Sequence, residues 1–330
     1  MNDDDKIFVN HSNWMAKYYD IIYRQPINKL YLPGVDNAGM YNIDFSKIHQ
    51  NASKTTRMLY KLSKYKIIKN YIESWYLRNR GDIRAQLMHG IRYLDFQYSI
   101  IDGEYCFSNT YIGALVKEGL TDIYDFLTDN RYEVVILNLR PDPEYLQYID
   151  NKDVIKLYKM IKTELSELLY PRSNDLSMPV YYDMVQKNQR VMLFMDYPDQ
   201  GIFVDKKYTW YIHSITAPDI QTINCYTKIR HIKDTIKTQM INNDNLNIIK
   251  PIIHPSTAIL MKGFIYAIKL NKLRRRNFHY YNNFIQDEVI FLIDQPAYMK
   301  HVSIISFNYP TYTYINHIIK LNKSKLYKKS

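Results

Sequence analysis

The run Glu133-Val134-Val135-Ile136-Leu137-Asn138-Leu139 is apolar at consecutive positions, and no other feature constrains the fold as much. Side chains alternate between the two faces of a strand, so four apolar residues in a row put hydrocarbon on both faces. Such a strand belongs in a parallel sheet covered by helices on each side. Five further short runs read as strands: Asn28–Leu32, Ile91–Tyr98, Arg190–Asp196, Val289–Ile293 and Val302–Asn308. Helical stretches lie among them. Leu115–Thr128 is one. Asp153–Leu169 is another, with Val154, Leu157, Ile161, Leu165 and Leu168 on one face. Asp219–Ile241 and Thr257–Leu273 have a similar character. Strands alternating with helices predict βαβ units and an α/β fold.

No Gly/Ser-rich or Pro-rich linker and no internal repeat breaks the 330 residues, so the whole chain, 1–330, is expected to form one domain. That length suits an α/β barrel. Residues 51–80 read as an amphipathic helical insertion rich in Lys and Tyr, and about 322–330 as a mobile basic tail. The longest purely apolar run, Val289 to Ile293, is far short of the ~20 residues that span a bilayer. The acidic start Met1-Asn2-Asp3-Asp4-Asp5 has no apolar core of a signal peptide, and Cys106 and Cys225 offer no disulfide framework. An intracellular, cytoplasmic protein is the expectation. The abundance of Asn, Ile, Lys and Tyr marks an AT-rich genome and would suit a large DNA virus.

The net charge of +11 is uneven. Residues 251–330 carry 12 Lys and Arg against 3 Asp and Glu, a net +9, which leaves +2 for the first 250. The excess lies in Lys262, Lys269, Lys272, Arg274, Arg275, Arg276 and the stretch from Lys320 to Lys329. A basic region of this kind can face an anionic lipid surface. Its plainer reading is a solvated helix face with a frayed tail. Nucleic acid is a poor candidate partner, because no recognised nucleic-acid motif accompanies the charge. Phosphate-binding glycine loops, Cys-x-x-Cys pairs, His-Glu-x-x-His and Gly-x-Ser-x-Gly are all missing. The nine histidines are scattered and read individually as surface or core residues.

Three stretches carry a family resemblance. The first is Asn13-Trp14-Met15 followed by Leu32-Pro33-Gly34-Val35-Asp36-Asn37-Ala38-Gly39-Met40-Tyr41. The second is Trp75 followed by Ile83-Arg84-Ala85-Gln86-Leu87-Met88-His89-Gly90-Ile91-Arg92-Tyr93-Leu94-Asp95-Phe96-Gln97. The third is Glu133 to Leu139. In order, spacing and residue type these resemble the X region of phosphatidylinositol-specific phospholipases C. The resemblance implies a PLC-like phosphodiesterase fold, a TIM-type (β/α)8 barrel that is distorted or incompletely closed. It also implies phosphoric diester hydrolysis, with one His as general base, a second as general acid and a cation at the phosphate.

Carried over by position, the resemblance puts Asp36 where the family has its first His and Asn109 where it has the second. Gln97 stands in place of the phosphate-binding Arg. Asn37 and Asp95 match retained polar positions. Arg140 ends the next strand, where a Lys or a calcium-binding Glu stands in relatives, and Asp196 falls where bacterial enzymes contact substrate. Asn37, Asp95, Arg140 and Asp196 are therefore the phosphate- or ligand-binding candidates. An unperturbed Asp has a pKa of about 3.9 and makes a weak base. Asn109 has no acidic proton to give, and Gln97 is neutral. The expectation is a pseudoenzyme that keeps the barrel and binds a partner or an anionic phospholipid head group at a membrane surface. An active phosphodiesterase with a rebuilt or metal-dependent site is the competing reading. No cofactor is expected, although the oxygen-rich set includes Asn37 and Asp95, donors of the kind calcium prefers.

Overall fold

The computed structural model describes residues 10–77, 79, 81–173, 177–196, 207–210, 212–220, 222, 224–240, 244–252 and 276–327. Its strands, in chain order, are β1 (Leu32–Val35), β2 (Tyr93–Ile101), β3 (Glu104–Asn109), β4 (Tyr111–Leu115), β5 (Val135–Pro141), β6 (Val191–Met195), β7 (Thr209–Trp210), β8 (Ile215–Thr216), β9 (Leu246–Ile249) and β10 (Ile304–Phe307). Eight of them lie side by side in the order β7, β6, β5, β2, β1, β10, β9, β8, and each neighbouring pair is parallel. β3 and β4 form an antiparallel hairpin on the end of β2. The path begins and ends on two strands adjacent in sequence, β7 and β8, as a TIM-type barrel requires. No ladder joins that pair among the described residues, so the barrel is incompletely closed.

The apolar runs are inner strands because both of their faces are covered. Val135, Ile136, Leu137 and Leu139 of β5 and Val191 to Phe194 of β6 are fully buried. The helices Val116–Asp129 and Asn151–Leu165 follow β4 and β5 and send Leu120, Ile123, Phe126, Val154, Leu157 and Ile161 into the same core. Helices Lys54–Leu62 and Lys66–Tyr76 occupy the segment between β1 and β2 that was read as an amphipathic insertion. One buried ion pair anchors the N-terminal segment to the barrel. Arg92 Nη2 meets Glu133 Oε2 at 2.5 Å with both side chains at zero exposure, and Glu133 also accepts from the backbone N–H groups of Met15 and Ala16.

Three sequence expectations are corrected. Asn28–Leu32 is not the first strand. Pro26 leads a 3-10 turn over Ile27–Lys29, Asn28 donates its amide to the Asp244 carbonyl at 2.6 Å, and the strand starts only at Leu32. Val289–Ile293 is not a strand but the end of the helix Arg276–Ile293. Ile285, Val289, Leu292 and Ile293 are buried and Phe291 is exposed, which is helical spacing. Of the stretch about 322–330, residues 322–327 are not a loose tail, because the helix Tyr312–Tyr327 runs through them. The buried Asn322 amide accepts from the Tyr31 N–H and donates to the Tyr31 carbonyl, both at 2.9 Å. The expected helix Thr257–Leu273 and the basic residues Lys262 to Arg275 lie outside the described residues.

Candidate functional site at the barrel mouth

Barrel strands deliver their C-terminal ends to one rim, and the polar residues gather there. Asp36 and Asn37 follow directly on β1, Lys250 follows directly on β9, and Arg140 sits near the end of β5. Tyr93, Asp95 and Gln97 are alternate residues of β2, so they share a face. The register pairs Asp95 with Asn138 and Gln97 with Arg140, which places these side chains beside one another.

Lys250 lies at the centre. Its ammonium donates to Asp36 Oδ1 at 3.0 Å and forms a short contact with Asp95 Oδ2. Arg140 grips Asp95 with two donors, Nε to Oδ1 at 3.2 Å and Nη2 to Oδ2 at 3.1 Å, and stands 3.6 Å from Asp36 Oδ1. Asn37 donates to Asp36 Oδ2 at 3.0 Å, and Asn138 donates to Asp95 Oδ1 at 3.2 Å. Asn37 has φ 48, a left-handed conformation that Asn tolerates better than most residues, and the turn lets Ala38 N–H reach the Asp95 carbonyl. In the amide orientation set by its neighbours' polarity, Gln97 accepts from both terminal nitrogens of Arg140 at 3.1 Å and donates to Asn37 Oδ1 at 3.2 Å.

This is a neutral, saturated network: two carboxylates against two cations. Asp36 and Asp95 side chains are 2% and 0% exposed, Lys250 is 9% and Arg140 28%. Burial alone would push Lys250 down, but the charges of Asp36 and Asp95 outweigh it and hold the ammonium well above its usual range. Arg140 is held up in the same way, by Asp95 and then Asp36 against its own burial. A second buried cation adjoins. Lys228, fully buried in the helix Cys225–Thr238, pairs with Asp219 and is pulled down first by burial, while feeling both Asp36 and Lys250.

The remaining sequence candidates stand apart from this set. Asn109, at the end of β3, makes no bond to it, and its amide nitrogen is buried with no partner among the described residues. Its neighbour Thr110 ties instead to Asp142, whose carboxyl is pushed up chiefly by burial. Asp196 is exposed beyond β6, and its N–H donates to the Leu139 carbonyl. Lys250, Asn138, Lys228 and Asp142 were not foreseen. The available signal for Lys250 was Leu246-Asn247-Ile248-Ile249, a short and mostly apolar run followed by a charge, in a chain that needed more strands to complete a barrel.

The arrangement is poorly suited to acid–base work. Both Asp36 oxygens are engaged by donors, and an ammonium held above its usual range is a reluctant acid. Nor do the residues fit calcium. Lys250 and Arg140 take the space a cation bridging Asp36 and Asp95 would need, and Asn37 turns a nitrogen toward Asp36. Among the described residues no group of three or more His, Cys, Asp or Glu could hold a metal ion.

The chain is similar to proteins of known family. It aligns with PI-PLC X domain-containing protein 2 of Homo sapiens at 22% identity over 265 residues, covering 79% of this chain and 83% of the human one. PI-PLC X domain-containing protein 3 of Danio rerio aligns at 22%, covering 79% and 80%. The fold matches the phosphatidylinositol-specific phospholipase C from Listeria monocytogenes with a TM-score of 0.60 at 18% identity, covering 95% of this chain and 99% of that one. It matches the S. aureus enzyme, in a structure concerned with modulation of its membrane binding, with a TM-score of 0.63 at 13% identity, covering 95% and 98%. The family model described as PI-PLC X 1 matches residues 77–279, more than half of the sequence, and the chain belongs to that family.

Proposed function

We propose that the protein is a PI-PLC X barrel without hydrolytic activity, which works by engaging an anionic phospholipid head group at a membrane surface. The observation that carries this reading is the single ammonium of Lys250 bonded to both Asp36 and Asp95. Asp36, which resembles the family's general base by position, is an ion-pair partner here, and the position of the general acid holds Asn109. No cofactor is needed for such a role. Arg140 keeps part of its guanidinium at the surface and is the group through which a phosphate would be met. The S. aureus neighbour's membrane binding and the +9 of residues 251–330 both favour a lipid surface over a protein partner or nucleic acid. The reading takes the attachment to be peripheral and from the cytoplasmic side; no helix among the described residues is long and apolar enough to cross a membrane.

Sedimentation with vesicles of neutral phosphatidylcholine, with and without phosphatidylinositol, tests the reading. It predicts binding only to the anionic vesicles, weakening as salt rises, since each Lys or Arg near such a surface contributes about 1 kcal/mol. Equal sedimentation with both vesicle types would contradict it, as would co-purification with a protein that blocks lipid binding.

A further inference from the structure

At the opposite end of the barrel a cavity of 470 Å³ opens among Tyr124, Arg131, Tyr132, Glu167, Asn188 and Arg190. Arg131 and Arg190 stand before β5 and β6, so the cavity is at the N-terminal ends of the strands and shares no residue with the mouth. Its floor is unusual. Arg190 is 2% exposed, yet no carboxylate lies within ion-pair distance of it among the described residues. Glu133, the nearest buried acid, is already held by Arg92. Arg190 spends Nε on Asn188 Oδ1 at 3.0 Å and Nη1 on the carbonyls of Leu127 and Asn130 at 2.8 Å, capping the end of the helix Val116–Asp129. Nη2 has no hydrogen bond among the described residues. A cap explains two of the nitrogens; it does not explain a second guanidinium on the same cavity. Burial brings Arg190 down to about 10; the charge of Glu133 works against that, and the exposed Arg131 adds to it. A buried guanidinium with a second cation beside it is a place where an added anion is favoured.

We propose that this cavity is a second ligand site, for a small polyhydroxylated anion of the polyol-phosphate class. Arg190 and Arg131 supply two positive charges against the one negative charge of Glu167, so the complementary ligand carries net negative charge. A guanidinium fork matches phosphate oxygens in number and geometry. Beside the apolar Leu168 and Val185, the amides of Gln186 and Asn188 and the hydroxyls of Thr128, Tyr124 and Tyr132 line the wall and suit ligand hydroxyls.

Titration calorimetry of the full chain with inorganic phosphate and with glycerol phosphate, against chloride at equal ionic strength, tests the assignment. Glycerol phosphate is expected to bind more tightly than inorganic phosphate. Arg131→Ala changes an exposed residue outside the core and should weaken binding about tenfold, the loss of one charge-assisted contact. Arg190→Lys should weaken it further, and Lys66→Gln, on an exposed helix face remote from both sites, should leave it unchanged. The proposal is overturned if the natural protein binds neither anion, if Arg131→Ala binds as well as the natural protein, or if Lys66→Gln weakens binding as much as Arg131→Ala does.

Discussion

The Lys250 ammonium lies 3.0 Å from Asp36 Oδ1 and also contacts Asp95, so one side chain just after β9 joins the residue after β1 to the interior of β2 across the intervening β10. The bond is structural as well as electrostatic, because it ties three parts of the barrel rim together.

Lys250→Met should therefore destabilise the fold. Removing one member of a buried ion-paired set strands the others, at a cost of about 3–5 kcal/mol. Asp36→Asn should cost less, since Asp95 keeps both Lys250 and Arg140. Urea unfolding of the two variants gives the order. A Lys250→Met protein as stable as the natural one would show that the ammonium is solvated and the network loose.

Arg92→Lys should behave as a severe change despite its conserved charge. Arg92 uses Nε and Nη2 on Glu133, Nη1 on the carbonyls of Leu87 and Ile91, and Nη2 also on those of His11 and Ser12. One ammonium cannot span these acceptors, and the unmet ones are buried. Limited proteolysis should show the segment around residues 10–23 released early. Protection equal to that of the natural protein would refute this.

Gly39→Ala tests the packing of the rim on the hairpin. A Cβ at Gly39 would stand 2.1 Å from the Phe107 ring, too close for either group to remain. Overpacking of this kind costs about 1–3 kcal/mol. The thermal midpoint should drop, and Phe107→Leu in the same chain should restore part of it.

Acid should weaken the fold partly through histidine. His49 is buried, stacks on Tyr145 with ring centroids 4.0 Å apart, and accepts from Asn51 N–H through Nδ1. Burial lowers its pKa, as it does for His11 and His89. The unfolded chain thus takes up these protons first, and stability is lost as pH falls from about 6.5, the ordinary histidine value, toward the lower folded values. Thermal midpoints from pH 7 to pH 5 should fall less steeply in His49→Gln. Parallel curves would mean His49 is protonated in the native state.

The barrel was legible because its central strands announce themselves. Val134 to Leu137 is rich in β-branched residues and reads as a covered strand, and the Gln86 to Gln97 stretch carries family-like residues in register. Asp36, Asn37, Asp95, Gln97 and Arg140 were located from that framework, and all five meet at the mouth. What sequence reasoning missed has a common cause. β9 has four residues, and β7 and β8 have two each, too few to show a period. Lys250 was lost with β9, so Asp36 looked like a bare substitution when it is half of an ion pair. Val289–Ile293 misled for the opposite reason: five apolar residues show no period until Ile285 and the exposed Glu288 are read with them. Asn109 was placed at the end of its hairpin, but no local signal tells whether a hairpin end reaches the network, and this one does not bond to it.

The proposed inactivity rests on Lys250, Asp36, Asp95 and Arg140 holding the mouth shut to chemistry. Its most direct test is release of inositol phosphate from phosphatidylinositol by the purified natural protein, with and without calcium. No release above the protein-free control is predicted under either condition. Turnover by the natural protein that Asp36→Ala abolishes would contradict the claim and make the same four residues a working active site.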